Sequence, residues 1–158
     1  MALGELIALY SPRLRYFLRK LAGREAAVDD LLQEVWLAAF RGLPRLTAAE
    51  AFRAWLYRIA RDQAFGQWRR QRRLPQTLAE TEVVDESTLD DDFTPDDIAA
   101  VHQALDGLPP EQREALVLRF LEGMTYEEIA AITDAPLGTV RSRLFYGKQA
   151  LRARLQGD

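Results

Sequence analysis

Apolar residues recur at helical intervals along nearly the whole of this 158-residue chain, outside one central stretch. From Val28, the residues Leu31, Leu32, Val35, Trp36, Ala39 and Phe40 follow at i+3, i+4, i+7, i+8, i+11 and i+12, one stripe of an α-helix. Phe52, Trp55, Leu56, Ile59, Ala60 and Gln63 repeat that spacing. Thr47 and Glu50 before them form a capping-box pair that would satisfy orphan amides, which predicts a helix beginning near Ala48. Upstream, Leu14, Phe17, Leu18 and Leu21 make a shorter stripe closed by Gly23. Ser11 and Pro12 read as a cap and a first-turn proline, predicting that the helix kinks or restarts after Tyr10.

In the second half a helix from Glu111 is expected to turn Leu116, Val117, Phe120, Leu121 and Met124 inward and to stop at Gly123. A short helix follows, capped by Thr125 with Glu128 three positions on and burying Ile129 and Ile132. Thr133-Asp134-Ala135 reads as a turn. Pro136 then suits the first turn of a final helix whose buried stripe is Leu137, Val140, Leu144, Leu151 and Leu155.

No segment alternates with period two between turn signals, so the pattern predicts an all-α chain. Residues 76–97 lack helical periodicity and carry nine acids and no base, the signature of a solvated linker. The expected organisation is therefore a helical domain at 1–75, an acidic linker at 76–97 and a second helical domain at 98–158.

The formal net charge of −3 conceals a segregation. Residues 1–75 hold 14 Lys/Arg against 7 Asp/Glu, and from Leu137 to Leu155 there are five bases and no acid. Two basic surfaces are thus available to a polyanion. Cysteine is absent, which excludes disulfides and thiolate chemistry and fits a reducing compartment, the cytoplasm by default. The first ten residues carry Glu5 and no Lys or Arg, and no apolar run is long enough to span a bilayer, so neither secretion nor membrane insertion is expected.

The outer face of the final helix carries Thr139, Arg141, Ser142, Arg143, Phe145, Tyr146 and Lys148. By itself a basic face is commonly a solvated one. Here a capped short helix, a tight turn and a proline-led helix with an acid-free outer face occur together, which is a helix-turn-helix with its recognition helix second. On Val28's helix, Asp30, Gln33, Glu34, Leu37 and Arg41 form the stripe opposite the core, either a solvated face with one stray leucine or a docking face. The segment from Arg58 to Arg73 brings Arg61, Arg69, Arg70, Arg72 and Arg73 near Phe65 and Trp68. Arginines neutralise phosphates whatever the sequence, and aromatic rings take unstacked bases at roughly 1–3 kcal/mol each.

The run from Tyr126 to Leu144, YEEIAAITDAPLGTVRSRL, closely resembles the C-terminal domain of the extracytoplasmic-function (group IV) sigma factors of bacterial RNA polymerase, and Leu108 to Met124 resembles that domain's lead helix. In the first half, Asp30-Leu-Leu-Gln-Glu-Val-Trp-Leu-Ala-Ala-Phe is similar to the family's polymerase-binding helix, and Phe52-Arg-Ala-Trp-Leu-Tyr-Arg-Ile-Ala-Arg to its promoter-melting segment. The resemblance implies two helical domains, a region 2 bundle and a region 4 helix-turn-helix. It implies core RNA polymerase and promoter DNA as partners, with an anti-sigma protein as a further one. It assigns Asp30, Gln33, Glu34, Leu37 and Arg41 to polymerase. Arg58, Arg61, Asp62, Phe65, Trp68, Arg69, Arg70, Arg72 and Arg73 go to the minus-ten element, and the seven recognition-helix residues to the minus-thirty-five element.

Three positions depart from the family's usual residues. Asp62 stands where Asn is usual, Gly66 replaces an acid, and Tyr146 stands where a base often lies. An Asp side chain accepts but cannot donate. The rival reading, a stand-alone helix-turn-helix regulator not bound to polymerase, leaves the first half unexplained. A metal-dependent hydrolase using Asp90, Asp91, Asp92, Asp96 and Asp97 is disfavoured because consecutive acids do not converge as ligands. His102 is the single histidine, and no phosphate loop or nucleophile motif appears, so neither catalysis nor a cofactor or metal is expected.

Overall fold

The computed structural model describes residues 3–23, 27–46, 51–72 and 98–157, and they fall into two compact units. The first holds α1 (Leu3–Ala22), α2 (Val28–Gly42) with a 3-10 turn (Leu43–Arg45) after it, and α3 (Phe52–Arg72). The second holds α4 (Ile98–Leu105), α5 (Pro110–Leu116) with its π-helical extension (Val117–Leu121), most of α6 (Tyr126–Thr133) and α7 (Leu137–Gly157). No strand occurs among the described residues.

Helix α1 runs through Pro12 as one element, which corrects the restart, one of the two outcomes expected after Tyr10. Pro12 only forfeits the hydrogen bond to the carbonyl of Ala8, an exposed residue where water can replace it. Burial of Leu14, Phe17, Leu18 and Leu21 fixes the helix beyond that point. Ser11 is not a cap. Its Oγ accepts a hydrogen bond from Trp36 Nε1 at 3.1 Å and ties α1 to α2. Gly23 ends the helix at φ +90°, a backbone conformation that costs glycine nothing, and its amide donates to the Arg19 carbonyl at 3.0 Å.

All three helices of the first unit pack on one another. From α2 they bury Leu31, Leu32, Val35, Trp36 and Ala39, as the stripe predicts, but Phe40 at its end is exposed. Trp55 of α3 lies against Gly42, where a Cβ would come within 2.9 Å of the ring, so the end of α2 is already covered and Phe40 is left at the rim. In α3 the buried line is Leu56, Tyr57, Ala60 and Ala64, while Phe52, Trp55, Ile59 and Gln63 are half-buried. Tyr57, which lies outside the apolar stripe of α3, is nevertheless fully buried, its ring 5.2 Å from that of Phe17. The capping pair expected at Thr47 and Glu50 lies outside the described residues.

In the second unit α5 and α4 pack on α7. The π-helical turn widens the lead helix and closes with the Glu122 amide on the Val117 carbonyl at 3.0 Å. A π turn advances the side-chain register by one residue. Leu118 therefore points into the core and Leu121 is 44% exposed, reversing the inward placement expected for Leu121. Gly123 at φ +66° ends the segment, and Met124 returns to the core. Arg119 fixes the turn that follows: its Nη1 donates to the Met124 carbonyl at 2.9 Å, and its guanidinium lies 4.8 Å from the Tyr126 ring centre.

Candidate nucleic-acid and partner interfaces

The helix-turn-helix is built as its residue types require. Thr125 Oγ1 accepts from the Glu128 amide at 3.0 Å, and Glu128 Oε1 accepts from the Thr125 amide at 2.9 Å, a complete capping box on α6. Asp134 takes the left-handed conformation, φ 55° and ψ 42°, and turns the chain after Thr133. Asp tolerates that region better than most residues. The Pro136 carbonyl accepts from the Val140 amide at 3.1 Å and starts α7.

Along α7, Val140, Leu144 and Leu151 are buried, with Leu137 and Leu155 half-buried. Gly147 lies in close contact with α5, since a Cβ there would come within 3.2 Å of Leu116 Cδ1. The other face is only partly the surface expected. Tyr146 is exposed, and Arg141, Arg143 and Phe145 are half-exposed, with the Phe145 and Tyr146 rings in an edge-to-face pair at 5.2 Å. Thr139, Ser142 and Lys148, by contrast, are buried, which corrects their placement on an open face. Lys148 falls one turn after Leu144 and so shares the core stripe. Its Nζ lies 5.3 Å from the Phe120 ring centre, where the aromatic face takes the charge. The adjoining α5 holds a further inward cation, Arg113, whose Nη2 donates to the Leu108 carbonyl at 2.9 Å. Burial pushes the Arg113 guanidinium below its ordinary value, and nearby Asp106 partly offsets this.

On α3, Arg58, Arg61, Asp62 and Phe65 follow at i, i+3, i+4 and i+7 and share one face. Arg58 and Asp62 are exposed, and Arg61 and Phe65 are half-buried. The Arg61 guanidinium lies 4.5 Å from the Phe65 ring centre, forming one cationic, flat surface. A side chain at Gly66 would meet nothing within 4 Å, so packing does not require glycine there. Trp68, Arg69, Arg70 and Arg72 continue along α3 with side chains outside the described residues, and Arg73 lies beyond them.

On α2, all five of Asp30, Gln33, Glu34, Leu37 and Arg41 are exposed, opposite the buried stripe. The structure adds two apolar residues to this surface. Phe40 and Leu43, each 38% exposed, join Leu37 at 44%. Their spacing of three was visible in the sequence, but Phe40 also fitted the core stripe. Among the described residues no group of three His, Cys, Asp or Glu side chains could hold a metal ion, and no helix is long and apolar enough to cross a membrane. His102 is half-buried on α4, and the acids from Asp90 to Asp97 lie outside the described residues.

Residues 6–74 match the family model for sigma-70 region 2, and residues 98–151 match that for sigma-70 region 4. The chain is 35% identical over 141 residues to the ECF RNA polymerase sigma-E factor of Escherichia coli, covering 82% of this chain and 74% of that protein. To the RNA polymerase sigma-H factor of Pseudomonas aeruginosa it is 38% identical over 140 residues, covering 81% and 72%. Among solved structures it is similar to the sigma factor RpoE in complex with the anti-sigma factor NepR from Bartonella quintana, with a TM-score of 0.75, 25% identity and coverage of 98% and 97%. It is also similar to CnrH in complex with the cytosolic domain of CnrY, at a TM-score of 0.69, 26% identity and coverage of 98% and 88%.

Proposed function

The chain belongs to the extracytoplasmic-function sigma factors, which bind core RNA polymerase and direct promoter-specific initiation, and from that premise we propose which of its faces does each part of the work. The α2 face of Asp30, Gln33, Glu34, Leu37 and Arg41, widened by Phe40 and Leu43, docks on core polymerase. The α3 face from Arg58 to Phe65, continued by Trp68, Arg69, Arg70, Arg72 and Arg73, holds the opened minus-ten strand. Arg141, Arg143, Phe145 and Tyr146 of α7 meet the minus-thirty-five duplex, with Thr139 and Ser142 beneath them and Lys148 supporting the helix from inside.

The chain acts by binding alone and works in the cytoplasm, where polymerase and promoter are found. A partner of the anti-sigma class, such as those in the two similar complexes, is proposed to hold it inactive.

The observation that carries this reading is the α2 face. Five positions of one stripe are exposed opposite a packed stripe, and its centre is a leucine 44% open to solvent with a phenylalanine beside it. An exposed apolar patch rimmed by charges is what a protein-docking surface needs. The test is co-elution of the full chain with core polymerase, followed by run-off transcription. Leu37→Asp is expected to weaken core binding at least about tenfold, since buried interface anchors cost on the order of 2 kcal/mol when lost. It should leave helicity intact. Equal binding by wild type and Leu37→Asp would falsify the docking assignment, and a wild-type chain that ignores core polymerase at low salt would remove the function.

A further inference from the structure

Trp36 lies on the core stripe of α2 and is 8% exposed. An indole carries an N–H that donates and no group that accepts, and a buried N–H left unmet costs free energy comparable to a lost hydrogen bond. Here the acceptor comes from another helix. Trp36 Nε1 donates to Ser11 Oγ of α1, 25 residues back in the chain, at 3.1 Å. Ser11 is a poor choice for its own helix, because a serine hydroxyl competes with the helix for backbone groups. It stands well inside α1, which begins at Leu3, and so caps no end. What it provides is an oxygen turned toward α2.

The torsion that turns an indole about its Cβ–Cγ bond has broad minima. Apolar packing fixes where the ring lies, and the bond to Ser11 fixes which edge faces α1. That orientation matters one turn further on, where Phe40 sits. Its ring centre is 6.4 Å from that of Trp36 with the planes at 31°, within the range of an offset aromatic pair. Phe40 is 38% exposed, with its inner side on the indole and its outer side in the apolar patch that also holds Leu37 and Leu43. The hydroxyl, the indole and the phenyl ring thus run in series from α1 to the docking surface of α2. An interface gains from an anchor already held in its bound orientation by the residues beneath it.

We propose that Ser11 is a positioning residue for docking on core polymerase: its hydroxyl fixes the Trp36 indole, and the indole fixes Phe40 in the orientation that polymerase meets. The inference rests on the docking role proposed for α2, and adds to it a residue of a different helix that acts through two others.

The experiment makes two measurements on the full chain. In a proton–nitrogen correlation spectrum the Trp36 indole signal is assigned by its loss in Trp36→Phe. Its proton is expected to exchange with solvent about tenfold more slowly in wild type than in Ser11→Ala. Affinity for core polymerase is then titrated. Ser11→Ala is expected to weaken it about three- to tenfold, the effect of one buried hydrogen bond, while Ser11→Thr keeps the hydroxyl and binds as wild type does. A double-mutant cycle separates positioning from a general loss of structure. In Phe40→Ala, which itself weakens core binding, adding Ser11→Ala is expected to change the affinity by less than about twofold, because the ring it positions is gone. Three results would overturn the inference and leave the docking assignment standing: an indole proton that exchanges alike in wild type and Ser11→Ala, a Ser11→Ala affinity within about twofold of wild type, or an equal loss with and without Phe40. If Leu37→Asp and Phe40→Ala both bind core polymerase as wild type does, the docking role of α2 itself fails and takes this inference with it.

Discussion

Lys148 shows how far a single residue can be read from its type. In the sequence it belongs to a run of five bases without an acid, and it reads as a phosphate contact. In the fold it shares the stripe of Leu144 and Leu151, is buried, and lays its ammonium over Phe120. A cation held on an aromatic face away from water stabilises by up to about 2 kcal/mol, and its stem packs besides. Lys148→Ala is therefore expected to lower unfolding stability by about 1–2 kcal/mol in a urea titration, while the salt dependence of holoenzyme binding to duplex promoter stays as in wild type. Arg141→Ala should do the reverse. It keeps stability, costs about 1–3 kcal/mol of binding and relaxes preference at one base pair of the upstream element. A salt slope flattened by about one in Lys148→Ala, with stability unchanged, would return Lys148 to the DNA surface. The side that Tyr57 takes is equally undetermined by its type. A phenol fits an inner or an outer position, and only the packing of Phe17 against it decides.

Among the elements, those with uninterrupted α-helical geometry were legible. The core stripe of α2, the capping box of α6 and the turn at Asp134 lie where periodicity and capping chemistry predict them. What periodicity could not show was a change of period. The π turn at Val117–Leu121 shifts the register, so Leu118 and Leu121 exchange the sides that a 3.6-residue repeat assigns them. At Pro12 the helix does not restart although a proline marks a possible end, because tertiary burial on one side and solvent on the other sustain it. The approach of α7 to α5 was equally hidden, since it depends on what Gly147 lacks. With Leu116 and Gln112 carbons 3.2–3.3 Å from the place of a Cβ, a branched side chain has no room. Gly147→Val is expected to cost about 1–3 kcal/mol of stability by overpacking. It should also reduce upstream-element binding in a holoenzyme titration, because the recognition helix moves with the contact. Wild-type stability in that variant would show that α5 gives way freely.

At the scale of the whole molecule, the distribution of charge matters more than its sum. A chain of net charge −3 is a poor candidate for DNA binding by that number alone, yet residues 1–75 carry twice as many bases as acids and the nine acids of residues 76–97 offset them in the total. Binding to a polyanion is governed by counterions released where cations meet phosphates, and a segment that makes no phosphate contact releases none. Its charge acts only at a distance, within a Debye length of about 10 Å at 0.1 M salt. Two variants separate local from total charge. Replacing Arg69, Arg70, Arg72 and Arg73 by Gln takes the formal net charge from −3 to −7, and replacing Asp90, Asp91 and Asp92 by Asn takes it from −3 to 0. With each single-strand phosphate contact contributing about 0.7 to the slope of log Kobs on log salt, the first variant is expected to flatten that slope by roughly 2–3 in holoenzyme binding to an opened minus-ten strand. The second should raise affinity at low salt and leave the slope where it was. A slope that instead followed net charge, steepening in the Asn variant as much as it flattened in the Gln variant, would mean that the arginines contribute to a diffuse field and touch no phosphate.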